Sequence, residues 1–60
     1  METAKVMDYA RSLLAARGDK AQAEAAQKAA ALEKDGRAED ARTWRAIESA
    51  LREMRAPHQG

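Results

Sequence analysis

The stretch KAQAEAAQKAAALEK, residues 20–34, contains no glycine, no proline and no β-branched side chain. Alanine is the strongest helix former, so this segment reads as a helix. Its one large apolar residue is Leu32, and Ala21, Ala25 and Ala29 prolong that face at four-residue steps. A helix of this kind lets another backbone approach closely but buries little area itself. The chain must therefore fold from helices set near one another, with bulk supplied from elsewhere.

The bulk lies mainly in ARTWRAIESALREM, residues 41–54, where Trp44, Ile47, Leu51 and Met54 recur at steps of three, four and three. That spacing is an apolar helical stripe. Val6, Met7, Tyr9, Leu13 and Leu14 supply the rest of the large apolar set near the start. Sixteen of the sixty residues are alanine. A chain this short with so few large side chains is marginal as an isolated monomer. It has no cysteine, so neither a disulfide nor a thiolate zinc site adds stability, and oligomerisation is the remaining common device.

Two glycines punctuate the chain. Gly18 and Gly36 each follow an alanine- and leucine-rich segment and precede another, the usual place for a helix stop. The expected fold is all-α: a three-helix domain of consecutive antiparallel hairpins over about 3–17, 19–34 and 37–55. Thr3 is the expected N-cap of the first helix. Asp19 with Gln22 three residues later gives the second helix a D-x-x-Q form of the capping box. Pro57 ends the third, because the residue before a proline is pushed out of helical geometry.

A single domain is expected over 1–56, with a disordered tail at 57–60. Glu24 with Lys28, and Glu48 with Arg52, are i,i+4 pairs in the favoured order. Asp40 falls on the apolar side of the third helix, in its first turn, and is expected to serve the N-terminal amides. The second helix is expected to be a thin centre against which the other two lean. Trp44 is then left partly uncovered, and a second copy of the chain is the expected cover. The turn-then-helix starts GDKAQAEA and DGRAEDAR, about 17 residues apart, match the spacing of successive hairpin helices rather than a 34-residue repeat array.

The order of Gly18 and Asp19, then AAQKAAAL (residues 25–32), a polar turn at Gly36, and WRAI (residues 44–47) followed by Leu51, resembles a family of short bacterial helical proteins. Its pattern is an alanine-rich helix ending at leucine, a Gly/Asp turn and a final helix with W-R-x-I. The chain departs from it by carrying Asp35 before Gly36 instead of Gly–Asp, and by an extra residue or two before Trp44. The resemblance implies helices and attaches no activity. Trp44 and Ile47 also resemble the W-x-x-L spacing of a tetratricopeptide helix, but Glu48 stands where that unit has a small glycine.

Catalysis needs a nucleophile with its base, carboxylates paired in a cleft, or a metal. His58 is the only histidine and follows Pro57; Ser12 and Ser49 have no histidine within reach of their helix faces. No phosphate loop, H-E-x-x-H or EF-hand spacing occurs. No enzyme activity, cofactor, metal or small-molecule substrate is expected. The longest apolar runs, residues 13–16 and 29–32, are far too short to cross a bilayer. The first residues also lack a secretory signal pattern. A cytoplasmic protein without a membrane partner is expected.

What remains is interaction. Arg45, Arg52 and Arg55 flank the apolar stripe, with Arg42 at its far edge, and arginine suits carboxylate or phosphate recognition. The expected interface is therefore Trp44, Ile47, Leu51 and Met54 with Arg45, Arg52 and Arg55, facing a second copy or another protein. The rival is a nucleic-acid-associated protein using the four arginines. A net charge of only +1 and glutamates within the flank weigh against that rival.

Overall fold

The computed structural model of the chain describes residues 2–55. They form three helices: α1 (Thr3–Arg17), α2 (Lys20–Lys34) and α3 (Ala38–Arg55). The architecture is the expected all-α, three-helix domain, and it is elongated, 39 × 22 × 22 Å. Ala56, Pro57 and the rest of the tail, including the proposed helix stop and His58, lie outside the described residues.

Gly18 and Gly36 act as the backbone requires. Gly18 has φ +59° and Gly36 φ +80°, a region that only glycine enters without strain. At Gly36 the end of α2 closes as a Schellman motif. The Gly36 amide donates to the Glu33 carbonyl at 3.1 Å and the Arg37 amide to the Leu32 carbonyl at 2.9 Å. Gly18 ends α1 by donating its amide to the Leu14 carbonyl at 2.8 Å.

The helix starts differ from the sequence expectation. Thr3 is the first helical residue rather than the cap, and the extended residue before it is Glu2, whose side chain makes no cap hydrogen bond. The capping box at Asp19 does not form. Asp19 itself has helical dihedrals, φ −62° and ψ −21°, whereas a capping side chain needs an extended backbone to fold onto the amides that follow. Its carboxylate instead lies 3.6 Å from Arg55 Nε, and Gln22 Oε1 accepts a hydrogen bond from Arg55 Nη1 at 2.9 Å. These contacts fasten the start of α2 to the end of α3.

The packing corrects a second expectation. α3, not α2, is the hub: it lies along α2 and also takes α1, while α1 and α2 meet least. The reason is bulk. Ile47 and Leu51 of α3 are fully enclosed, and around them close Val6 and Ala10 of α1 and Ala21 and Ala25 of α2. Further along the α2–α3 pair, Ala29, Leu32 and Ala41 are also buried. The alanine face of α2 is thus hidden as its four-residue spacing indicates, but as a lining for α3's large side chains rather than as a centre. Asp40 is exposed and pairs with Arg37 across one helical turn, so it does not occupy the apolar side.

Candidate interaction surface

The expected interface divides in two. Ile47 and Leu51 have no exposed surface; they belong to the chain's own core and no partner can reach them. The stripe in residues 41–54 is covered at its centre by α1 and α2 of the same chain. Trp44 and Met54 are half-buried, at the margins of that core.

Among the described residues, Tyr9 is the large apolar side chain left in the open, 42% exposed. Its ring meets Trp44 edge to face, with centroids 5.6 Å apart and an interplanar angle of 84°, an arrangement favoured by the ring quadrupoles. Lys28 Nζ lies over the same indole at 5.9 Å from its centroid, within cation–π range. Lys28 therefore does not make the expected pair with Glu24, which instead approaches Arg17 Nε at 3.6 Å. These groups border an open cleft of about 320 Å³ where the three helices meet, with Tyr9, Leu13 and Trp44 as its apolar wall. Sequence periodicity does not single out Tyr9 and Lys28, because the turn geometry that brings three helices to one point leaves no trace in a single helix's pattern.

The arginine flank is answered from within. Arg45 donates from Nε and Nη2 to the two Glu33 oxygens at 3.1 and 3.0 Å, and from Nη1 to Glu48 Oε1 at 3.1 Å. The hydrogen bonds from this fork hold the Glu33 carboxylate below its ordinary range. The Glu33 and Glu48 bonds together raise the Arg45 guanidinium above its own. Arg52 Nη2 lies 3.8 Å from Glu48 Oε2, which is the i,i+4 pair expected from sequence. Arg55 is shared between Asp19 and Gln22. Exposed pairs of this kind contribute little stability, but they engage the guanidinium groups that a phosphate would need. Arg42 is exposed and makes no ion pair among the described residues.

Among the described residues, no cluster of three or more histidine, cysteine or carboxylate groups could hold a metal. No described helix is long and apolar enough to cross a membrane. No family model, curated protein or solved structure matches the chain.

Proposed function

We propose that the chain is a small, non-enzymatic helical interaction module that associates with other copies of itself. One observation carries the reading. Among the described residues, Ile47 and Leu51 are the large side chains with no exposed surface, with Val6 and Leu32 nearly enclosed, while Met7, Leu13, Leu14, Trp44 and Met54 are only partly covered around them. Apolar surface removed from water contributes roughly 25 cal/mol per Å², so a small domain with this much half-covered bulk gains from a second chain. The arginines of α3 favour a protein partner over a polyanion, since Arg45, Arg52 and Arg55 already meet acceptors of their own chain.

The test is molar mass by sedimentation across about a hundredfold range of concentration. The proposal expects a dimer that dissociates on dilution. A single monomeric mass at every concentration would contradict it.

A further inference from the structure

Two charges on the outer face of α3 are without an ion pair among the described residues. Asp40, Arg45, Glu48, Arg52 and Arg55 each meet an opposite charge of the same chain, and Glu39 stands in the helix's first turn. Arg42 and Glu53 remain, both exposed and without an ion pair among the described residues. Glu53 also stands near the C-terminal end of α3, where a carboxylate opposes the helix dipole. The stability of α3 therefore gives no reason for its presence.

Between them on the same face lie Ala46 and Ser49, both exposed. At 3.6 residues per turn, residues 42, 46, 49 and 53 fall within an arc of about 60° over a length of about 16 Å. Val6 and Met7 of α1 wall one side of this strip, making an open groove of about 330 Å³ with Ala46, Ser49 and Glu53. The small side chains at its centre let a second helix come close, at an axial separation near the lower end of the usual 8–10 Å.

Resting on the self-association reading, but placing the contact on the side of α3 away from Trp44 with the partly covered Met7 beside it, we infer that this face pairs with its own counterpart in a second copy. The two α3 helices run antiparallel about a twofold axis between Ala46 and Ser49. Arg42 of each chain meets Glu53 of the other. The pattern is its own complement when reversed: residues 42 and 53 share a midpoint with residues 46 and 49, so one axis matches both pairs. An isologous interface requires that property. The parallel arrangement sets arginine against arginine and glutamate against glutamate, so charge alone selects the antiparallel one.

The test is charge reversal with mixing. Arg42→Glu and Glu53→Arg are each prepared and their molar masses followed against concentration, with helicity as a control. Both substitutions place charge in the sense the helix dipole favours, so helicity is expected to hold. Each variant alone is expected to dimerise at least about tenfold more weakly than the wild type, because both contacts become repulsive. An equimolar mixture of the two is expected to recover a dimer containing one of each. Weakening without recovery in the mixture overturns the antiparallel pairing. A wild-type dimer that neither reversal weakens overturns the assignment to this face while self-association stands. A wild type that never dimerises removes both.

Discussion

Leu51→Ala is expected to remove a large share of the domain's stability at 25 °C. Among the described residues, Leu51 and Ile47 are the large side chains with no exposed surface, and both sit where α1 and α2 close on α3. Truncating an enclosed leucine costs about 2–5 kcal/mol, the loss of transfer energy plus the cavity left behind. A sixty-residue domain at roughly 0.05–0.15 kcal/mol per residue has about 3–9 kcal/mol in total. The surrounding alanines have no flexible side chains with which to fill the space, which favours the upper part of the cost. Tyr9→Ala is the contrast: 42% exposed, it is expected to cost about 1 kcal/mol or less. Urea denaturation followed by far-ultraviolet circular dichroism measures both. Equal losses at the two positions would mean that the core does not centre on Leu51.

Ala25→Leu is expected to be damaging too, for the opposite reason. Ala25 has no exposed surface and lies in the cluster with Ile47 and Leu51. Its methyl is what lets α2 lie close to α3. Adding three carbons forces the helices apart, and overpacking of this kind costs about 1–3 kcal/mol and occasionally more. Its neighbours Ala21 and Ala29 are equally enclosed, so the strain cannot be relieved by sliding along the helix. The exposed Ala30 provides the control, since leucine is nearly as good a helix former. Ala30→Leu is expected to change stability by about 0.5 kcal/mol or less. If Ala25→Leu behaved like Ala30→Leu, the close approach of α2 and α3 would be disproved.

The contrast between these two alanines was legible in the sequence. Ala21, Ala25, Ala29 and Leu32 lie on one face by spacing, and the two glycines had to mark turns because each begins a new alanine-rich segment after the last has ended. Periodicity shows which face a helix hides. It does not show how far one helix leans toward another, so the central place went to the alanine helix when bulk gave it to α3. Charge pairing within a helix was readable in part: Glu48 with Arg52 follows it, whereas Glu24 turns to Arg17 and Lys28 to Trp44. Pairing between helices was not, because it depends on the register of the α2–α3 hairpin. That register sets Glu33 against Arg45 and Asp19 against Arg55, drawing Asp19 away from the amides it was expected to cap.

The interface was the least legible part. A helical stripe looks the same whether its cover is the same chain or another. Trp44 drew attention by size, yet a large ring is seldom wholly enclosed, and here it packs beside Tyr9 and beneath Lys28. The smaller Ile47 and Leu51 fill the space between helices. The face formed by Arg42, Ala46, Ser49 and Glu53 carries no bulk and so no hydropathy signal. Only the charges that the folded chain leaves unanswered bring it into view.

Each chain closes its own core, and the proposed association is added on the outer face of α3. Amide hydrogen exchange tests this most directly, read at Ile47 and Leu51 in wild-type protein over concentrations that span dissociation of the dimer. A folded monomer keeps these amides protected even where the dimer is fully dissociated, with dimerisation adding only its mass-action gain. Loss of that protection in the dissociated chain would show instead that the core of α3 is completed by a second copy.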